Sequence, residues 1–260
     1  MRHAAVPVPP PLEHGDIELL SRMPWSSNAT FLARVGCPPS PGDAANTAEG
    51  AGTAGQAGEA DVPQVLAIYK PGRGERELWD FPGGLYRRER AAYVLAEALG
   101  WALVPPTVIR EGPLGEGSLQ LFVEHDPDQH YLALVEDGPA ALLDQFRRLC
   151  AFDVLCNNTD RKSGHCLLDA DEHVWAIDNG LAFHSEFKLR TVIWDFAGEQ
   201  LPGDVADDLA ALVASGLPAE LSDLLDPFER DAVLTRAGAL VAEGEFPVDP
   251  TGRRWPWPLV

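Results

Sequence analysis

Asn157–Phe183, NNTDRKSGHCLLDADEHVWAIDNGLAF, holds a dense set of polar groups between two short apolar runs. Leu167 and Leu168 close its first half, and Val174, Trp175, Ala176 and Ile177 lead into the second. Asp169–His173 between them is a polar turn cluster. The pattern predicts a β-hairpin with its polar groups at the open end: Asp160 and His165 before the first strand, Asp178 after the second. A hairpin brings its ends together, so these three side chains are expected to converge. Taken singly, Asp160 and Asp178 also read as ordinary turn residues.

Two carboxylates and a metal-capable side chain at one place suit phosphoryl transfer. One carboxylate orients the attacking hydroxyl, and the other two groups hold a divalent cation against the phosphates. At this point NTDR (Asn158–Arg161) followed by IDNGLAF (Ile177–Phe183) resembles the catalytic and metal-binding segments of type II phosphatidylinositol 4-kinases and their bacterial relatives. The segment is similar, more distantly, to HipA-type kinases. The match is strongest to a bacterial family described as phosphatidylinositol 3-/4-kinase-like. The resemblance implies an α+β, two-lobed protein-kinase-like fold, with a small, mostly β N-lobe and a mainly helical C-lobe. It makes Asp160 the catalytic carboxylate and Asp178 the metal carboxylate, with ATP and Mg2+ as cofactors. His165 falls where those lipid kinases carry a metal-binding Asn. Because imidazole is a softer donor than oxygen, Mn2+ stands as the alternative metal.

Forty acidic residues against 20 basic ones give a formal charge of −20 over 260 residues. Such a surface repels nucleic acid and anionic membrane. No stretch reaches the roughly 20 apolar residues of a membrane span, so no stable membrane insertion is expected. The N-terminus lacks an apolar signal core, and residues 1–15 read as a disordered Pro-rich arm. Cys37, Cys150, Cys156 and Cys166 lack paired metal spacing and read as free thiols of a reducing, cytoplasmic compartment.

In chain order, Asp16–Leu20 reads as a strand. Ser26, Ser27 and Asn28 then form a small polar turn between apolar runs. The resemblance places this turn over the nucleotide phosphates, although it contains no glycine; an ordinary hairpin turn has the same composition. Residues 37–61, rich in Gly, Ala, Pro and Thr, read as a flexible insertion. Val65–Pro71 is a strand ending in Lys70, the position of a phosphate-binding lysine. Arg87–Trp101 has helical spacing at Ala91, Val94, Leu95, Ala98 and Leu99. Glu89 in its first turn is placed to pair with Lys70 or to complement the helix dipole. Val104–Glu111 and Ser118–Glu124 read as two further strands. Val123 and Glu124 stand where the family's backbone bonds adenine.

From Pro139 the pattern is helical and delivers a buried helix to the catalytic loop, with Asp153 as a structural hydrogen-bonding group. Arg161 and Lys162 read either as a cation for phosphate charge or as a solvated pair. Lys188 and Arg190 read as surface cations, or as contacts for an acidic substrate. Asp204–Gly244 reads as two or three amphipathic helices, and RRWPWPLV as a tail packed on the large lobe. The expected lobes are residues 16–124 and 125–260. The expected activity is transfer of the γ-phosphate of ATP to a hydroxyl of a lipid, small-molecule or protein acceptor. A nucleotide-binding pseudokinase and an AMP-transferase are the alternatives.

Overall fold

The computed structural model describes residues 6–24, 26, 28–36 and 64–260. Ser27, Cys37 and the 37–61 insertion lie outside the described residues. The chain is α+β, with an antiparallel sheet followed by a helical body.

Strands β1 (Asp16–Arg22), β2 (Phe31–Gly36), β3 (Gln64–Pro71), β4 (Thr107–Gly112) and β5 (Gly115–Leu121) lie in the order β1-β2-β3-β5-β4. Alternation along β2 and β3 turns Ala33, Val35, Ala67 and Tyr69 into one core, which Val108 and Leu119 complete. Helix α1 (Pro10–His14) caps this core with Leu12, which is fully buried. The expectation of a disordered arm over residues 1–15 is therefore corrected for this part. Proline in the first helical turn presets φ. Burying one leucine contributes about 1.5–3 kcal/mol toward holding this five-residue helix on the sheet.

Helix α2 (Leu85–Leu99) starts two residues before the predicted helix. Its free N–H groups have a distant acceptor: the Glu75 carboxylate takes bonds from Gly84 N (2.9 Å) and Tyr86 N (2.7 Å). Gly100 ends the helix at φ 65. Although α2 is inserted between strands of the sheet, Ala91, Leu95 and Leu99 belong to the larger core. They pack there with Trp101, Leu103 and Val104. Arg88 pairs with Glu229 in the interior, and Arg90 with Glu220 at the surface, which ties α2 to the helices at the chain's end. The predicted strand start at Val104 gives way to Thr107 because Val104 is needed in that core and Pro105 and Pro106 have no N–H to donate.

The helical body holds α3 (Tyr131–Asp137), α4 (Ala141–Cys156), α5 (Gly203–Ser215), α6 (Ala219–Leu224) and α7 (Pro227–Glu243). Phe146, Leu149 and Phe152 of α4 are fully buried. Asn157 ends α4 in the left-handed region, φ 55, and its side chain bonds His184 O, Glu186 O and Lys188 N. Cys150, Cys156 and Cys166 are free and buried. The tail does reach the large core, through Leu259, whose carbonyl accepts from Ser163 N. Its Trp257, however, is 86% exposed. No helix among the described residues is long and apolar enough to cross a membrane.

Candidate active site

The predicted hairpin is present as β6 (Cys166–Leu168) paired antiparallel with β7 (Val174–Ala176). Its base closes through Ile177 N to His165 O, 3.0 Å. As a result His165 Nε2 lies 3.4 Å from Asp178 Oδ2. Asp160, on the loop between α4 and the 3-10 turn Ser163–His165, lines the same cleft.

The cleft has a polar compartment of about 190 Å3 lined by Ser26, Asn28, Lys70, Glu89, Asp160 and Asp178, among others. A second compartment, about 370 Å3, opens from it past Lys70, His165 and Asp178. Its wall is mostly apolar: Met23, Ile68, Leu121, Phe122, Val123 and Ile177. Together they set a mostly apolar slot beside a polar chamber in which Lys70 and Lys162 face Glu75, Glu89, Asp160 and Asp178. Val123 is therefore in the cleft, with its carbonyl held by His125 Nδ1 at 2.9 Å. Glu124 is exposed and lines neither compartment.

Lys70 Nζ bonds Glu89 Oε1 from one side and Asp178 Oδ1, at 2.7 Å, from the other. Burial alone depresses an ammonium pKa. Here the carboxylates of Asp178 and Glu89 outweigh it and hold Lys70 above its ordinary value. Lys70 in turn holds Asp178 far below the usual carboxylate range, against the opposing effect of burial. Asp160 behaves oppositely. Burial raises its pKa, and Lys162, whose Nζ lies 3.1 Å from Oδ2, only partly offsets that. Two carboxylates in one cleft are thus pushed apart, one toward permanent charge and one toward accepting a proton.

Burial pushes the His165 imidazole down to about 4, so it is neutral. Its Nδ1 accepts from Lys162 N at 3.3 Å, which leaves the ring proton on Nε2, facing Asp178. No cluster of three or more His, Cys, Asp or Glu residues suited to a metal occurs among the described residues. The donor set nonetheless fits Mg2+, which takes one or two carboxylates and completes its shell with phosphate oxygens and water.

No protein-family model matches the sequence. Protein Rv2133c of Mycobacterium tuberculosis is 34% identical over 283 aligned positions, spanning 95% of this chain and 93% of that protein. The chain belongs to the Rv2133c family. Among solved structures, hydra Fam20 with sugar has a TM-score of 0.48 at 15% identity, covering 90% of this chain and 86% of that one. The Helicobacter pylori proinflammatory kinase CtkA has a TM-score of 0.42 at 12% identity, covering 70% and 88%. At these values the structural likenesses carry no argument, and the chemistry of this Rv2133c-family chain is read from its own cleft.

Several residues of that cleft carry no signal as a motif. Gly74 O accepts from Ala29 N (3.0 Å), and Asn28 Oδ1 accepts from Arg76 N (2.8 Å). These bonds tie the β1–β2 turn down onto the loop before α2. A Cβ on Gly74 would sit 2.3 Å from that of Ala29, so glycine is required for the approach. Arg161 is neither a phosphate cation nor part of a solvated pair. It is fully buried against Asp153, which leaves Lys162 as the cation of this loop in the cleft. Asp153, buried inside α4, accepts from Arg161 and from Thr191 Oγ1 (3.0 Å). Lys188 donates to Asp80 O at 2.9 Å, while Arg190 is exposed.

Proposed function

We propose that this protein is an ATP- and divalent-metal-dependent phosphotransferase with a two-lobed, kinase-like arrangement. The observation that supports it most directly is Lys70 bonded to both Glu89 and Asp178 in a cleft that Asp160 also lines. In this reading the apolar compartment takes the adenine, and Val123 lies beside it. Ser26, Asn28 and Lys70 surround the phosphates. Asp178, already ionised, holds Mg2+ together with phosphate oxygens, and the cation's contribution is to neutralise charge on the β- and γ-phosphates. His165 orients Asp178 through Nε2–H, which differs from the ligand role expected from the sequence. An oxygen-only donor set suits Mg2+ and Mn2+ alike.

The acceptor hydroxyl is held by the Asp160 carboxylate. Its oxygen forms the new bond to the γ-phosphorus as the bond to the β–γ bridging oxygen breaks. ADP leaves with that electron pair, and the hydroxyl proton passes to Asp160. The raised pKa of Asp160 suits this role, because a carboxylate nearer neutrality is a better proton acceptor. Lys162 balances its charge before transfer. The acceptor's class is open among lipid, small molecule and protein.

The test is ATP turnover and autophosphorylation with Mg2+ and with Mn2+, alongside nucleotide binding by thermal shift, for the wild type and Asp160→Asn. Turnover reduced about a hundredfold or more in the variant, with binding retained, is expected. Metal-dependent binding without turnover in the wild type, across an acceptor screen, would favour a nucleotide-binding regulatory module. A product that gains one AMP, with release of pyrophosphate, rather than one phosphate would indicate AMP transfer. No nucleotide binding would overturn the reading.

A further inference from the structure

Arg161 follows the proposed catalytic carboxylate in sequence but turns away from the cleft into the interior, where none of its surface is exposed. A guanidinium has five N–H donors in a rigid fork, and here every nitrogen has an acceptor. Nε reaches Asp153 Oδ1 and Oδ2 at 3.0 and 3.2 Å, and Nη2 lies 3.0 Å from Asp153 Oδ1. Nη1 donates to Ile177 O at 2.6 Å and reaches His165 O at 3.5 Å. Nη2 also donates to Asn179 Oδ1 at 2.6 Å. Ile177 and Asn179 are the residues on either side of Asp178. One buried cation therefore brackets the proposed metal carboxylate.

Asp178 needs that bracket. Its backbone is in the left-handed region, φ 56, which disfavours a residue with a Cβ by roughly 1 kcal/mol. Asn179 is fully buried and engaged on every side. Its Oδ1 accepts from Arg161, its Nδ2 donates to Ala176 O (3.2 Å), and its backbone N–H donates to Glu89 Oε2 (3.0 Å). Glu89 Oε1 is the atom that holds Lys70. A continuous chain of hydrogen bonds thus runs from Asp153 in α4, through Arg161 and Asn179, to the Glu89 carboxylate, and holds the backbone on either side of Asp178.

We infer that Arg161 and Asn179 are positioning residues, which hold the turn at Asp178 so that its carboxylate meets metal and phosphate together. The inference rests on the phosphotransferase reading of the cleft. It distinguishes these two residues from ordinary core polar groups by what their loss does to metal use. Outer partners of metal ligands change metal affinity about 10–100-fold when removed. Neither side chain lines the compartment taken by the nucleotide, so metal-free nucleotide affinity is expected to stay within about twofold.

The experiment measures ATP binding by calorimetry without metal and across a Mg2+ titration, with thermal melting in parallel. The proteins are the wild type, Asn179→Ala and Arg161→Lys. Asn179→Ala leaves the Asp153–Arg161 pair in place, so it keeps the test usable if Arg161→Lys does not fold. The expected result is a half-saturating Mg2+ concentration raised about tenfold or more in Asn179→Ala, with metal-free ATP binding preserved. Unchanged metal dependence, or equal losses with and without metal, would overturn the positioning role while leaving the phosphotransferase reading intact. A wild type that shows no metal-dependent ATP binding would overturn both.

Discussion

The β1–β2 turn and the β6–β7 hairpin bring polar groups to the same cleft, but they are fixed by different kinds of bond. The first is held by neutral bonds near the surface: Ala29 N to Gly74 O, Asn28 Oδ1 from Arg76 N, and Ser26 Oγ with Thr30 Oγ1 at 2.7 Å. The second is held from below by a buried ion pair whose cation also bonds both ends of the hairpin. Charge-assisted bonds in a dry interior are stronger and more costly to break than neutral ones that water can replace. The side of the cleft that carries Asp160 and Asp178 is therefore the rigid side. The side formed by the β1–β2 turn is the adjustable one.

The contrast is broken most severely from the buried side. Asp153→Ala leaves Arg161 as an unpaired interior cation and is expected to cost about 3–5 kcal/mol of stability, read from the urea midpoint. A loss below about 1 kcal/mol would mean that the interior pair adds no more than a surface one. On the other side, Gly74→Val forces a Cβ into Ala29. It is expected to raise KM for ATP about tenfold, equivalent to about 1.4 kcal/mol, with little change in kcat. An unaltered KM would show that the turn need not rest on that loop.

Next in size is a shift in pH dependence. Transfer needs ionised Asp160, so kcat/KM falls as pH drops through its pKa. Lys162 lowers that pKa, against the larger effect of burial. Lys162→Ala is thus expected to move the acid limb to higher pH, and a limb that stays or moves lower would separate Lys162 from Asp160. The smallest effect is expected of Asn28→Ala. It removes one exposed bond and is expected to change stability by no more than about 0.5 kcal/mol, with KM for ATP raised about twofold.

What the sequence discloses follows the same division. Asp160, Asp178, Lys70 and Glu89, legible as hairpin ends, a strand-end lysine and a helix acid, line one cleft, and the hairpin between β6 and β7 is marked by its turn cluster. Ser26 and Asn28 also line the cleft. The holding groups were less visible. Arg161 beside Lys162 looks like two surface cations, and nothing local says that one points inward. A signal did exist: Asp153 sits among Phe152, Val154 and Leu155 on a buried helix, and a carboxylate there requires a cation. Its partner lies eight residues on, beyond the helix end, where no periodicity points to it. Glu75 and Gly74 were silent because one acts on backbone N–H groups and the other through a carbonyl and a missing Cβ. His130, whose ring caps α3, was silent too, since histidine is not a common cap. Helix boundaries moved for the same reason: acceptors far along the chain decided where α2 could begin.

The attachment of α2 to the larger core has a consequence for how the cleft exchanges its contents. Three covalent connections cross between sheet and helical body: β3 to α2, α2 to β4, and β5 to α3. α2 is fastened to the body by its apolar face and by Arg88 and Arg90, and to the sheet by Arg90 on Thr107 O, so Glu89 sits on a helix that both parts share. Lys70 rides on the sheet. The ammonium of Lys70, between its two carboxylates, therefore joins the sheet both to that helix and to the β6–β7 hairpin. Under the proposed function, a phosphate that draws on Lys70 would loosen the joint between the two walls of its own cleft.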